Sequence, residues 1–224
     1  LSLFPSLKTV LKKAGLHEGV YRTQQMKLLA GVDTRETVHR ENGVALQLDV
    51  EKVYFSPRLS NERKRISQQV KKGESVLVLF SGCGPYPCVL AKNTQAKEIY
   101  GIELNPLGHQ YGLKNVALNK LTNVFLFQGD VRVVVPKLGK TFDRILMPLP
   151  KSSEEFLDVA FSVAKKGTII HCYDFLHEDH FLDAVEKIKK ACKIAKKKCK
   201  ILRIVKCGQH SPRVFRICVD FAVL

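Results

Sequence analysis

Five short apolar runs alternate with helix-patterned stretches through the middle of this chain, and that alternation limits the fold more than any other feature. The runs are SVLVLF (75–80), EIYGIEL (98–104), NVFLFQGD (123–130), FDRILMPLP (142–150) and GTIIHCYDF (167–175). Strand patterns separated by helical periodicity, as at 107–119 and 153–165, imply a parallel sheet with helices on both faces. Ser152 or Ser153 stands where the second of those helices would be capped. Two last strand patterns, CKILRIVKCG (199–208) and VFRICVDFAVL (214–224), are joined only by residues 209–213. A parallel crossover takes about a dozen residues or more, so this final pair must be antiparallel. The predicted class is α/β, a mostly parallel sheet ending in a C-terminal antiparallel hairpin.

The first part of the chain reads differently. A helix is predicted over 6–13, stopping at Gly15. Glu41-Asn42-Gly43 between TVHR and VALQLDV is a hairpin signal, because Asn-Gly favours the left-handed turn that matches strand twist. A charged helix is predicted over 61–71. The reading is a small α+β portion at 1–55, on the substrate side, followed by the main domain at 56–224. With 224 residues and 45% hydrophobic content, the chain can bury a substantial core, and disorder is excluded as its main state. No apolar run approaches the roughly 20 residues of a membrane helix. No signal-peptide pattern follows Leu1, and a start at Leu rather than Met suggests a piece of a longer product.

Charge points to a partner. Against 21 acidic residues stand 37 Lys and Arg, a formal +16 that favours a polyanion, nucleic acid ahead of anionic membrane. Residues 186–200 hold eight Lys and one Glu, while Leu182, Val185, Ile188, Cys192, Ala195 and Cys199 recur every three or four positions. One helix over 182–200 with an apolar face and a lysine face follows. That lysine face is either a solvated surface or an RNA-facing patch. The seven cysteines, an odd number with none in C-x2-C spacing, read as free thiols of a reducing, cytoplasmic compartment and not as a zinc module. His171, Cys172 and His177 are irregularly spaced and read as structural, so no metal is expected.

Ligand chemistry collects at the ends of successive strands. After the first lies Phe80-Ser81-Gly82-Cys83-Gly84-Pro85, whose paired glycines allow a tight turn and close backbone approach to a ligand. Glu103, 21 residues after Gly82, ends the second strand, where a carboxylate accepts both ribose hydroxyls of an adenosine ligand. Asp130, after Gln128-Gly129, could meet the adenine amine, and Pro148-Leu149-Pro150 forms a rigid turn after the fourth strand. Open α/β sheets bind ligands at this carboxyl edge.

Together, Phe-Ser-Gly-Cys-Gly-Pro (80–85), Gly-Ile-Glu-Leu-Asn-Pro (101–106), Gly-Asp-Val-Arg (129–132) and Leu-Pro-Lys-Ser (149–152) resemble the motifs of class I S-adenosylmethionine-dependent methyltransferases, a Rossmann-like fold. Val53-Tyr54-Phe55-Ser56-Pro57-Arg58, Asn61-Glu62-Arg63 and Glu18-Gly19-Val20-Tyr21-Arg22-Thr23 narrow the resemblance. They are similar to the archaeal and eukaryotic tRNA (guanine-37 N1)-methyltransferases and their relatives in wyosine biosynthesis. The likeness runs from about Leu11 to Leu224, and members of that family usually carry a further N-terminal domain that touches the tRNA elbow.

The resemblance implies S-adenosylmethionine as cofactor, held by Phe80, Ser81, Gly82, Gly84, Glu103, Leu104, Asp130, Val131, Pro148 and Pro150, with Arg58 and Arg63 near its carboxylate or the active site. It implies the anticodon stem-loop of tRNA as partner, with position 37 as target, and a monomer with no membrane. Methylating N1 of guanine needs a base for N1–H and a donor for charge developing on O6. By resemblance these are Glu62 and Arg22, while Tyr54 and Pro150 shape the pocket for a base taken out of its stack. On spacing alone Glu62 is a helix carboxylate paired with Arg63 or Arg65. Pro148 stands where the family usually has Asn, and it has no amide side chain to offer cofactor or base. Two alternatives stay open: transfer of a 3-amino-3-carboxypropyl group within the wyosine pathway, and a non-catalytic RNA-binding module on the same fold.

Overall fold

The computed structural model describes residues 7–149 and 152–224. Two small antiparallel pairs come first, β1 (Thr9–Lys13) with β2 (Met26–Gly31) and β3 (Glu36–Glu41) with β4 (Val44–Asp49). The helix expected over 6–13 is therefore a strand from Thr9 onward, and Ser6 lies outside the described residues. So short a segment gains little from helical nucleation, whereas β2 supplies partners from Thr9↔Gly31 to Lys13↔Met26. The Asn42-Gly43 turn closes the β3–β4 hairpin as read, both residues having positive φ (43° and 76°).

A helix α1 (Ser60–Ser67) then leads into the alternating part. It comprises β5 (Ser75–Leu79), α2 (Pro85–Asn93), β6 (Glu98–Glu103), α3 (Pro106–Leu118), β7 (Val124–Gln128), α4 (Val131–Val134), β8 (Phe142–Met147), α5 (Leu157–Ser162) and β9 (Ala164–His177). The chain finishes with α6 (Phe181–Ile194), β10 (Cys199–Ser211) and β11 (Val214–Val223). One seven-stranded sheet runs in the order β10-β11-β9-β8-β5-β6-β7. Its pairings from β7 to β9 are parallel, and β11 is antiparallel to both of its neighbours. The α/β reading holds, and the hairpin loop is even shorter than expected.

Val76 to Leu79 are fully buried because helices cover both faces of the sheet. Ile66, Tyr86 and Leu90 pack on one face with Val76, Val78, Leu146, Tyr173 and Cys218. On the other, Leu157, Ala160, Ala184, Ile188 and Cys192 pack with Leu77, Leu79, Ile170 and Ile217. Among the described residues no helix is long and apolar enough to cross a membrane.

Two helix expectations are corrected. The lysine helix ends at Ile194, not 200, with Lys196 in a left-handed turn (φ 51°). Cys199 starts β10 because the edge of β11 takes up its backbone, pairing Cys199 with Val223. Leu182, counted with the apolar face, is 70% exposed. The helix expected over 153–165 shrinks to a 3-10 turn, Ser153–Phe156, and the short α5, since Ala164 already pairs with Phe142. Neither serine caps it: Ser152 makes no cap bond, and the Ser153 hydroxyl donates to the Met147 carbonyl at 2.9 Å.

The β3–β4 hairpin is laid onto the main sheet's helices by two asparagines of α3 and its end. Asn119 accepts from the Ala45 N–H (2.8 Å) and donates to its carbonyl (2.7 Å). Asn115 does the same to Gln47 (2.7 and 3.0 Å) and also donates to the Cys83 carbonyl at 2.9 Å. The two amides thus act like a neighbouring strand along β4. Asn115 is fully buried, so Asn115→Ala leaves three backbone groups without partners. It should cost about 2–3 kcal/mol, read as a lower urea midpoint at unchanged slope.

Candidate active site

The turn after β5 is conformationally costly and tightly held. Phe80, Gly82 and Gly84 all have positive φ (58°, 58° and 81°), which only glycine adopts without strain. Phe80 is held there with its ring edge-on to Phe156, centroids 4.9 Å apart. A Cβ on Gly84 would stand 3.4 Å from the Gly112 Cα, and one on Gly112 would stand 2.9 Å from Leu126. These glycines therefore let α3 press against the turn.

Glu103 ends β6 beside this turn. Its Oε2 accepts from the Gly82 N–H at 2.6 Å and its Oε1 from the Asn105 N–H at 2.8 Å. Burial raises its pKa, opposed by these backbone donors. A carboxylate has about four acceptor positions, so one on each oxygen remains for a pair of hydroxyls. Asp130 caps α4 by accepting from the Arg132 N–H through Oδ1 (2.7 Å), leaving Oδ2 without a partner among the described residues. Leu104 is half-exposed and Val131 buried nearby in sequence. Pro148 and Leu149 are half-buried after β8, with the Leu149 N–H turned back to the Met147 carbonyl at 2.8 Å. Pro150 lies outside the described residues.

The second half of the site sits on the α1 side of the sheet. Glu62 is only 4% exposed although it lies in the first turn of a short polar helix. Its Oε1 accepts from the Tyr173 hydroxyl (2.6 Å) and Arg65 Nη2 (2.7 Å), and its Oε2 from Arg65 Nε (2.7 Å). Oε1 is thereby filled, while Oε2 keeps a lone pair. Tyr173 in turn accepts from Tyr86 at 3.0 Å. Glu62 thus pairs with Arg65, as its spacing predicts, but is buried and not a surface carboxylate.

Arg65 extends the contact inward. It donates to Asp220 through Nη1 (2.7 Å), and Asp220 also accepts from His171 Nδ1 (2.6 Å) and Arg203 Nε (2.9 Å). His171 Nε2 meets Arg144 Nη1 at 2.7 Å, and Arg144 forks onto Glu74 (2.8 and 3.0 Å). Burial opposes ionisation of Asp220, but His171 and Arg65 outweigh it and hold its pKa far below the usual carboxylate range. Burial lowers the pKa of His171 against the pull of Asp220, so the ring is neutral, donating through Nδ1 and accepting through Nε2. His171, Cys218 and Asp220 bring ligand-type atoms within 4.8 Å of one another, but a metal ion there would face the guanidiniums of Arg65, Arg144 and Arg203.

A third group forms where the N-terminal loop meets Tyr54. Arg22 has positive φ (53°), and its carbonyl faces His17 Nδ1 at 2.9 Å, while the His17 ring meets Tyr54 edge-on at 5.1 Å. The Tyr54 hydroxyl accepts from Arg216 Nη2 at 3.1 Å. Arg216 on β11 is one alternation from Cys218, which pairs with Tyr173. The Tyr54–Arg216 contact therefore stands about 7 Å along the sheet from the Tyr173–Glu62 contact. A Cβ on Gly82 would lie 3.7 Å from the Tyr54 carbonyl, so Tyr54 spans from the glycine turn to Arg216.

Not every expected residue joins the site. Arg63 is 1% exposed and spends its fork on Glu41, with Nη2 at 2.6 Å from Oε2 and a third bond to the Ser56 carbonyl at 3.1 Å. It ties α1 to the β3–β4 hairpin, because a buried guanidinium needs a carboxylate, and its fork is taken up there. Arg58 is exposed on a 3-10 turn, with no ion pair among the described residues. Tyr173, Asp220 and Arg216 were missed. The signal was present: Arg216, Cys218 and Asp220 occupy one face of an otherwise apolar strand, and such polar positions need partners.

A profile described as the TRM5/TYW2 methyltransferase domain matches residues 37–202. The chain belongs to that family. The tRNA (guanine(37)-N(1))-methyltransferase Trm5b of Pyrococcus abyssi is 39% identical over 221 residues, 97% of this chain and 64% of that protein. Its crystal structure superposes with a TM-score of 0.86, at 38% identity and the same coverage. A complex of aTrm5 and tRNALeu gives 0.87, with 32% identity over 98% of this chain and 62% of that one. A tRNA(Phe) (4-demethylwyosine(37)-C(7)) aminocarboxypropyltransferase of Methanocaldococcus jannaschii is 32% identical, covering 90% of this chain and 80% of that protein. TYW2 from the same organism, in complex with AdoMet, superposes at 0.79, with 30% identity over 89% of this chain and 91% of that one. The chain thus spans under two thirds of the Trm5b relative and a larger share of the aminocarboxypropyl one.

Proposed function

We propose that this TRM5/TYW2-family chain is the catalytic part of an S-adenosylmethionine-dependent tRNA methyltransferase acting on N1 of guanosine-37. In this reading residues 1–55 form the substrate-side portion, 56–224 the methyltransferase domain, and the enzyme works as a cytoplasmic monomer on the anticodon stem-loop. The observation that carries it is Glu62: a buried carboxylate held by Arg65 and Tyr173, with one lone pair of Oε2 unused, beside the Arg22–Tyr54 group.

The strand-end residues fit the cofactor. The glycine turn admits a ligand against its backbone, Glu103 keeps acceptor positions for two ribose hydroxyls, and Asp130 Oδ2 can accept an adenine amine. Leu104 and Val131 would flank the adenine, with Pro148 and Pro150 closing the fourth strand's turn. When bound, S-adenosylmethionine supplies an electrophilic methyl group. Glu62 Oε2 takes the N1 proton of the target guanine, and Arg65 holds that oxygen in place. Arg22 donates to O6 as negative charge develops there. Tyr54 packs against the extruded base.

Glu103→Gln puts an NH2 against the Gly82 or Asn105 N–H, donor against donor. It should weaken binding of S-adenosylmethionine about 10- to 100-fold in calorimetry. Unchanged affinity removes the ribose assignment.

A second reading is 3-amino-3-carboxypropyl transfer, favoured by the Methanocaldococcus relative and by Pro148 in place of the family's usual Asn. Mass analysis of nucleosides after reaction with tRNA separates the two. A gain of about 14 Da on guanosine-37 is expected for methyl transfer, whereas about 101 Da on the wyosine precursor marks the larger group. No transfer with tRNA still bound marks a non-catalytic module. Steep loss of tRNA binding with salt is the companion result if the exposed lysines of α6 contribute.

A further inference from the structure

Three arginines are less than a tenth exposed: Arg63, Arg144 and Arg216. The first two each fork onto a carboxylate, Glu41 and Glu74. Arg216 has no ion pair among the described residues. Its contacts are the neutral Tyr54 hydroxyl at 3.1 Å and the face of Phe175, whose centroid lies 4.9 Å from Cζ. Arg22, half-buried in a left-handed turn, also has no ion pair among the described residues, and its backbone carbonyl meets His17, whose ring lies edge-on to the same tyrosine. Burial lowers the Arg22 pKa; the Tyr54 side chain opposes this, and Arg216 adds to it. A buried guanidinium with no carboxylate partner is unfavourable unless an anion joins it.

We propose that Arg216 seats a backbone phosphate of the nucleic-acid substrate, beside the base that Glu62 deprotonates, while Arg22 keeps its place at O6. The inference rests on the nucleic-acid reading of this site. A neutral tyrosine hydroxyl does not offset a buried guanidinium, whereas a phosphodiester does, and the guanidinium fork matches its oxygens. The surroundings suit a splayed nucleotide. The Phe175 ring lies 4.3 Å from His210 at 30°, and the His17 ring meets Tyr54 edge-on, so aromatic rings flank the Arg216–Tyr54 contact. Arg216 pairs with Phe175 near the carboxyl end of β9, the sheet edge that also carries the glycine turn. It is three strands from β5, roughly 14 Å across the sheet, which favours the RNA strand over the cofactor's carboxylate.

The test is a cycle between Arg216→Gln and tRNA carrying a neutral methylphosphonate at the linkage 5′ or 3′ of the target guanosine, read as equilibrium affinity by fluorescence anisotropy. Arg216→Gln is expected to weaken native tRNA about 10- to 100-fold. One of the two methylphosphonates should weaken wild-type binding equally and the variant no further. Additive losses at both linkages overturn the phosphate seat. So does a loss of S-adenosylmethionine affinity on Arg216→Gln that methylthioadenosine does not share, since that outcome assigns the arginine to the cofactor's carboxylate. The variant orphans no carboxylate, so its thermal midpoint should stay the same or rise. Should it fail to fold, Arg216→Lys, which keeps the charge without the fork, takes its place in the cycle with an intermediate loss expected. Affinity is measured without turnover, so a wild-type enzyme that binds tRNA but transfers nothing counts against the proposed reaction and leaves the phosphate cycle readable.

Discussion

Glu62→Gln lowers the single-turnover rate of base methylation about 10²- to 10⁴-fold while S-adenosylmethionine affinity stays unchanged. The large effect follows from what the amide cannot do. Gln keeps the volume and can accept from Tyr173 through its oxygen, but its NH2 then faces Arg65 Nε and offers no lone pair to a proton on N1. The fold should survive, because Arg65 keeps Asp220 and α1 keeps Ile66 in the core. The cofactor should bind as before, since the residues proposed to hold it lie at the ends of β5, β6, β7 and β8 and, among the described residues, none of them contacts Glu62 through a hydrogen bond. Rapid-quench kinetics at saturating cofactor and tRNA reads the chemical step, and calorimetry reads the cofactor. A variant as fast as wild type removes Glu62 as the base.

Asp220→Ala is expected to destabilise the protein by about 3–5 kcal/mol, the cost of breaking a buried ion pair from one side. Asp220 is fully buried and accepts from Arg65, Arg203 and His171, so its loss strands charged and polar groups together. Urea unfolding at neutral pH measures this, and a loss under about 1 kcal/mol would show that water re-satisfies the arginines. The pH dependence has a definite sign. Asp220 has a depressed native pKa, so its stabilisation is complete above the unfolded value near 3.9 and is lost as pH falls toward its much lower native one. His171 is also depressed, mainly by burial: its contribution is complete above about pH 6.5 and falls as acid protonates the unfolded chain first. Stability should therefore decline from pH 6.5 downward, and His171→Gln should flatten the first part of that decline.

The glycine turn after β5 and the Glu103 carboxylate beside it were legible in the sequence because their signals are local. Glycines for a tight turn, a carboxylate one strand later and strand-helix alternation all lie within short windows, where backbone geometry alone decides what residues can do. The misreadings have a common cause as well. Thr9–Lys13 became a strand because β2 was available to pair with it, and Cys199 left the lysine helix because β11 presented an edge. The resemblance puts Arg63 near the cofactor's carboxylate or the active site; a helix turns about 100° per residue, so next to Glu62 it faces Glu41.

By itself, then, the sequence determined the α/β class, the antiparallel ending, the glycine turn and the carboxylates at 103 and 130, through hydrophobic period and through Gly and Pro. Only the tertiary structure decided which charges meet. Glu62 reaches Tyr173 across 111 residues, and Arg65 reaches Asp220 across 155. Burial is set by those long-range neighbours, and burial turns an ordinary helix carboxylate into a held one and leaves Arg216 without a counterion.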